Sequence, residues 1–455
     1  MNIGLKIGLV LSCCFLWEAQ TFSQVKIRFG ETFKQEEIQV GFREQSYKTK
    51  LDESGAGIIN VSDTLASGYA VLYGPRSVCS FYLMPGQRQD IIQLPGEEIK
   101  FAGAAEAVNM YLNSPFWNNL NITYGESEEK FLKKWELLPD RLWAHLDSLP
   151  LPSDFKNLER KRLYYVACNL LLSYPLRHTR LLHLKSYSPG EGYCQKISEI
   201  MQEDSSAKEL WEYRQFFRDA VQLLGEKEKS ETGKLQEKLR YELNYIRGNI
   251  RDEELAAYLT DACMSGYIRY FGTEGVEEFL PFYDEKVKDG KRKTAFFQSY
   301  NQYSRLEQGK SAPDFSLLDI QGNRLNLSDW LGYYVYIDVW ATWCGPCCRE
   351  LPAFHKLKEQ FKDRPVRFIS ISIDMDEAAW RDKIEKDGWT GIQLHVNKGD
   401  TFREDYKISL IPRFILIDRE GKIVDANMSR PSEVKTVKML SSLLSVLENG
   451  NIMEQ

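Results

Sequence analysis

Between Tyr334 and Phe361 the chain changes its repeat within a few residues, and that change restricts the possible folds more than any other feature of the sequence. Tyr334 to Trp340 is a β-branched and aromatic run of the kind that forms a buried strand. Trp340-Ala341-Thr342-Trp343-Cys344-Gly345-Pro346-Cys347 follows, and then Leu351, Phe354, Leu357 and Phe361 recur at three to four residues, the period of a helix with one apolar face. Two cysteines therefore stand where a strand hands over to a helix. The first falls at or beside the helix N-terminus, where unpaired N–H groups and the positive end of the helix dipole favour a thiolate and lower a cysteine pKa from its free value of about 8.5. The thiolate is the species that attacks a disulfide. Two intervening residues set Cys347 one turn further in, within reach of Cys344, so that it resolves a mixed disulfide intramolecularly. Gly345 allows close backbone approach, and Pro346 suits a first helical turn, where its missing N–H costs little.

Other chemistry for this pair fits less well. A structural zinc site needs two further thiols or imidazoles, yet there is no second CxxC, and His145, His178, His183, His355 and His395 lack metal-ligand spacing. A purely structural disulfide across so short a loop stabilises little, because cross-link entropy grows with loop length.

The surrounding segments also alternate. Ala312-Pro313-Asp314-Phe315 opens a short β segment, Gln321-Gly322-Asn323 turns it, Leu325 and Leu327 complete a hairpin, and Ser328 is placed to cap a short helix. Val366 to Ile373 reads as a strand, Glu377 to Lys386 as a helix, and Phe414 to Ile417 and Ile423-Val424 as strands about a turn at Glu420-Gly421. A last helix is expected to bury Val434, Val437, Leu440, Leu444 and Leu447. Strands alternating with helices predict an α/β layer with helices on both faces of the sheet.

At this point the sequence resembles the thioredoxin superfamily, and more narrowly the exported TlpA/ResA-like thiol-disulfide oxidoreductases, over roughly residues 306–450. Beyond Trp343-Cys344-Gly345-Pro346-Cys347, Asp338 stands where thioredoxin has its buried acid and Pro352 where it has its helix-kinking proline. Ile411-Pro412 stands where the family has its active-site cis-proline, and Glu350 where TlpA/ResA-like members often carry a functional glutamate. The resemblance implies a C-terminal α/β thioredoxin-like fold in which Cys344, Cys347, Asp338 and Glu350 are catalytic. Trp343, Gly345, Pro346, Ile411 and Pro412 would then meet the substrate. It implies protein disulfides as substrates, a membrane dithiol as electron donor, and no metal or organic cofactor. A buried Asp338 would have a raised pKa and accept the proton that Cys347 must lose, or else be satisfied by local backbone donors. Glu350 serves or tunes that role, or is a solvated helix glutamate. Pro412 presents backbone to an extended substrate, or is a trans proline opening an edge strand. Cys348 departs from the pattern, since thioredoxins usually have a basic residue there; it either shuffles disulfides or is a bystander on another helical face.

At 455 residues the chain is too long for one core. Residues 24–105 show period-two alternation, as in Ile38, Val40 and Phe42, and predict a small β-rich domain. Residues 106–305 turn helical, best seen in Leu235, Leu239, Leu243, Ile246 and Ile250, and Gly225-Glu226-Lys227-Glu228-Lys229-Ser230 reads as a solvated link. The expected organisation is thus a leader at 1–23, a β-rich domain, an all-helical middle region, and a thioredoxin-like domain at 306–455. The first two-thirds resembles the poorly characterised leader that precedes the redox unit in some envelope members, and this carries no activity.

Lys6 followed by an apolar run from Ile7 to Trp17 and the small-x-small triplet Thr21-Phe22-Ser23 reads as a secretory signal, with a lipid anchor at Cys13 as the alternative. The run is shorter than the ~18 residues that a membrane span needs. The protein is therefore expected to be exported, into the periplasm of a cell envelope. A formal charge of -6 does not suggest a nucleic-acid partner. Cys168 and Cys263 in apolar helical contexts and Cys79 in a strand are expected to be buried thiols, whereas Cys194, in a Gly-rich stretch, is expected in an exposed loop. Two other functions compete with disulfide reduction. A peroxiredoxin shares the fold but wants Thr where Ala341 stands, and a non-enzymatic envelope binding module would merely carry the thioredoxin unit.

Overall fold

The computed structural model describes residues 22–452 apart from 44, 63–64, 76–77, 119, 121 and 228–234. The expected leader, with Cys13, lies outside the described residues except for Phe22 and Ser23, which open a strand; Glu228 to Ser230 of the expected link also lie outside them. The chain divides into two compact units, with the boundary between Phe216 and Phe217 inside the helix Trp211–Lys227.

The first unit begins with eight strands: β1 Phe22–Arg28, β2 Glu37–Phe42, β3 Gln45–Lys50, β4 Ala56–Ser62, β5 Gly68–Tyr73, β6 Val78–Leu83, β7 Gln89–Ile92 and β8 Lys100–Gly103. They form two four-stranded sheets, ordered β4-β1-β7-β8 and β3-β2-β5-β6. Alternation sends Val25, Ile27 and Val61 from one sheet and Ile38, Val40 and Phe81 from the other into a single core. Each such side chain contributes roughly 1.5–3 kcal/mol on burial.

Helices follow. In Ser153–Leu172 the fully buried Glu159 accepts both Nε and Nη2 of Arg162, each at 2.7 Å. Tyr111 donates its hydroxyl to the same carboxylate at 3.0 Å, and so does Tyr69 of β5. Arg162 reaches on to Glu212 at 3.0 Å. Every group in this cluster has a partner, the condition under which a buried ion pair is tolerated.

The second unit continues with helices Leu235–Asn249, Glu253–Phe271, Leu280–Lys286 and Gly290–Tyr303. The stripe read from the sequence packs inward through Leu239, Leu243 and Ile246, while Ile250 lies just past its helix. A seven-stranded sheet comes next: β9 Ser316–Asp319, β10 Arg324–Asn326, β11 Tyr334–Trp340, β12 Val366–Ser372, β13 Ile392–His395, β14 Arg413–Ile417 and β15 Ile423–Asp425, in the order β10-β9-β13-β12-β11-β14-β15. β11 runs parallel to β12 and antiparallel to β14. On one face Tyr336 and Phe414 pack with Phe354 and Leu357 of the helix Gly345–Gln360 and with Leu440 and Leu444 of the helix Val434–Ile452. On the other, Ile337, Val339 and Ile371 pack with Trp380 and Ile384 of the helix Glu377–Asp387. The fold is thus multidomain, with a β-rich start, a helical middle and a C-terminal thioredoxin-like α/β layer.

Some local expectations are corrected. Strand β13 is absent from the sequence reading. Asn326, not Ser328, caps the short 3₁₀ turn Leu327–Trp330, reciprocating hydrogen bonds with Asp329. Val434 is exposed, because it is the first residue of its helix and precedes the packed stretch. Cys194 lies in the helix Glu191–Ile200 and is buried, because the glycines before it begin that helix instead of a loop. Cys79, Cys168 and Cys263 are buried free thiols, and burial pushes the Cys79 and Cys168 thiols up to about 12.

Candidate active site

β11 is central in its sheet, and all of its residues after Tyr334 are buried. It stops at Trp340, and Ala341–Thr342–Trp343 carries the chain to Cys344, which is the N-cap of the helix Gly345–Gln360. Cys344 keeps an extended backbone (φ -86°, ψ 91°), and its Sγ accepts the N–H of Cys347 at 3.2 Å. The sulfur thus occupies the place where a side chain meets the free amides of a first helical turn. Cys344 and Cys347 are joined as a disulfide, and both are buried. Around them Trp343, Gly345 and Pro346 are exposed, and Ile411 and Pro412 are half-buried. The Ile411–Pro412 peptide is cis. Since Arg413 pairs with Val339 across β14 and β11, Pro412 lies alongside the end of β11 from which the disulfide loop emerges.

Asp338 sits within β11 with 2% of its surface exposed, on the face of Tyr336. Among the described residues no donor hydrogen-bonds its carboxyl. Burial first, and the Glu350 carboxylate second, push it up to about 8. Glu350 is buried on the active-site helix, not solvated. Its oxygens accept the Ser432 N–H at 3.3 Å and the Ser432 hydroxyl at 3.1 Å, and Arg430 approaches to 3.6 Å. The helix contains Pro352. Cys348 is partly exposed, with its Sγ 3.8 Å from the Thr342 carbonyl.

A second buried carboxyl, Asp374, belongs to this neighbourhood and was not read from the sequence. It follows β12 and accepts the Thr342 N–H at 2.9 and 3.1 Å, the Thr342 hydroxyl at 2.7 Å and the Ser372 hydroxyl at 2.7 Å. His395, weighed at first only as a metal ligand, lies 2.9 Å through Nε2 from the Asp374 carbonyl and stacks on Trp380 with ring centroids 4.9 Å apart. The only sequence signal for this clamp is an acid directly after a predicted strand.

A disulfide at the N-cap of a helix that follows a central strand, with a cis-proline just before the neighbouring strand β14 and a buried acid within β11, defines a thioredoxin-like redox domain. The Redoxin family model matches residues 307–444. The chain is 30% identical over 121 residues to thiol-disulfide oxidoreductase ResA of Bacillus thuringiensis (strain Al Hakam), an alignment covering 27% of this chain and 69% of that protein. It is also similar to a putative thiol-disulfide oxidoreductase of Bacteroides vulgatus known by crystal structure, with 38% identity, coverage of 31% of this chain and 99% of that one, and a TM-score of 0.29. Through its C-terminal domain the chain belongs to the ResA-like thiol-disulfide oxidoreductases of the thioredoxin superfamily. Outside that domain, and among the described residues, no helix is long and apolar enough to cross a membrane.

Proposed function

We propose that this protein reduces protein disulfides outside the cytoplasm, at the cell envelope, with residues 306–455 as the redox unit. The observation that carries the reading is the Cys344–Cys347 disulfide at a helix N-terminus in the same domain as an unpartnered, buried Asp338. In the reduced protein the Cys344 thiolate attacks one sulfur of the substrate disulfide. A mixed disulfide forms, and the other substrate sulfur leaves as a thiolate and takes up a proton. The ionised form of Asp338 then takes the proton of Cys347, with Glu350 tuning that transfer, and Cys347 attacks Cys344. The S–S bond to the substrate breaks, the second substrate thiol departs protonated, and the protein is left as the Cys344–Cys347 disulfide. Two electrons and two protons have passed to the substrate. A membrane dithiol returns them by the same exchange in reverse, and no cofactor takes part. Trp343, Gly345, Pro346, Ile411 and Pro412 border the sulfurs and meet the substrate, Pro412 through its backbone.

Cys347→Ser tests this reading. The variant should accumulate envelope proteins on Cys344 through bonds that dithiothreitol releases, and the wild type should reduce insulin. Absence of thiol-reversible adducts together with intact insulin overturns it.

A further inference from the structure

In the first unit the stretch from Leu176 to Lys185 gathers apolar side chains at the surface. Leu176 is 56% exposed, Leu181 59%, Leu182 44% and Leu184 40%. Single exposed leucines are ordinary, but several so close together form a patch, and a patch marks a contact. Its backbone is fixed. The helix Tyr174–Leu181 buries Tyr174 and His178 on its inner side, where the Tyr174 hydroxyl donates to the Glu126 carbonyl at 2.7 Å and His178 Nδ1 lies 2.7 Å from the Tyr124 carbonyl. Its end is closed by the Leu184 N–H on the Thr179 carbonyl at 2.9 Å and the His183 N–H on the Arg180 carbonyl at 3.4 Å, with His183 in the left-handed region at φ 51°. Glycine usually takes that position, and a residue with a Cβ enters it at a cost. A helix end tied in this way does not fray, so Leu181, Leu182 and Leu184 are held outward by the fold.

Charge singles out the same stretch. No Asp or Glu occurs between Glu159 and Glu191, although acids make up 65 of the 455 residues, one in seven. At the start of that interval the cations are paired, Arg160 with Asp147, Lys161 with Asp204, and Arg162 with Glu159 and Glu212. Further on, Arg177, Arg180 and Lys185 are exposed among the leucines and have no carboxylate partner among the described residues; Arg177 lies over the Tyr124 ring at 5.0 Å instead. The helix dipole favours a cation in the last turn, which accounts for Arg180 but not for the leucines around it. The whole chain carries a formal charge of -6, so an anionic surface repels it except at a locally cationic face. Leucines interleaved with unpaired cations and free of acids match the boundary of an anionic bilayer. There the leucines enter the acyl edge, while Arg and Lys lay their stems on it and reach the phosphates. A protein partner would have to set acids at fixed places to meet these cations, whereas a lipid surface supplies them everywhere.

We propose that Leu176, Leu181, Leu182 and Leu184, together with Arg177, Arg180 and Lys185, dock the first unit on an anionic phospholipid surface. The proposal goes beyond the thiol-disulfide reading and does not depend on it.

The test uses the full-length protein with phosphatidylcholine vesicles made with or without phosphatidylglycerol. Hydrogen exchange of the amides from Leu176 to Ser186 is the readout, because attachment through the N-terminal apolar run would be common to every variant and acts elsewhere in the chain. Those amides should gain protection when phosphatidylglycerol is present and not when it is absent. Arg180→Gln combined with Lys185→Gln should raise the vesicle concentration needed for half of that protection roughly 30-fold, and added salt should move the wild type in the same direction. Leu181→Ser combined with Leu182→Ser should weaken docking at low and high salt alike. These substitutions alter only exposed side chains, so circular dichroism and insulin reduction should stay as in the wild type. Protection that fails to appear with phosphatidylglycerol, is equal with both vesicles, or ignores both double variants overturns the docking surface. Protection that rises with protein concentration in the absence of vesicles also overturns it, since the patch would then be a contact between copies. Failure of the wild type to reduce insulin, by contrast, counts against the thiol-disulfide reading and leaves lipid docking standing.

Discussion

Glu159 in the first unit and Asp338 in the second are both removed from water, yet their surroundings differ in kind. Glu159 accepts two bonds from Arg162 and one each from Tyr69 and Tyr111, so its charge is compensated where it lies. Asp338 has no donor among the described residues and faces the field of a second carboxylate, Glu350. The first arrangement ties a strand of the β-rich region to a helix. The second keeps a carboxyl protonated to about 8, in the strand that leads to the disulfide loop. Burial alone therefore says nothing about function; the partners of a buried charge decide whether it holds structure together or does chemistry.

The sharpest way to break this contrast is to remove one side of the compensated pair. Glu159→Ala strands Arg162 and should destabilise its unit by roughly 3–5 kcal/mol, read as a lower urea midpoint. A loss below about 1 kcal/mol would place Glu159 with ordinary surface pairs. Asp338→Asn should behave in the opposite way: stability at pH 7 should rise, because folding no longer has to protonate a carboxyl that the unfolded chain leaves ionised, while resolution by Cys347 slows by roughly 100-fold. Stopped-flow tryptophan fluorescence reads that step.

A smaller effect appears in the pH dependence of stability. The folded Asp338 carboxyl binds its proton up to about 8, whereas the unfolded chain releases it near 3.8. The folded state therefore holds the extra proton between those values. The stability linked to it is fully present below the lower value and is lost as pH rises, at roughly 1.4 kcal/mol per pH unit at most, levelling off above about 8. Asp338→Asn should remove that slope, and an unchanged slope would mean that another group carries it. Smallest of all, Glu350→Gln should move the Asp338 midpoint downward by only part of its displacement, since burial is the larger cause. Infrared titration of the carboxyl band measures it.

The legible parts of this protein were those in which cause and consequence lie close together along the chain. Tyr334–Trp340 followed by two cysteines and a helical stripe contained its own strand, N-cap and packing face, because period, capping and dipole act over a few residues. The alternation of Ile38, Val40 and Phe42 likewise described a strand half-buried against a second sheet. β13 was not legible, because Ile392–His395 is short and its burial depends on lying between β9 and β12. The fate of Cys194 turned on packing of the whole helix, which two glycines obscured.

What the amino-acid order determined alone was the chemistry on offer, a dithiol spaced for one helical turn at the end of an apolar strand, since that spacing is local geometry. Which groups surround it was decided only in three dimensions. Thr342 meets Asp374 from 32 positions away, and Glu350 meets Ser432 from 82. Such pairings exist because the sheet order lays remote strand ends side by side, and one-dimensional spacing cannot encode which ends become neighbours.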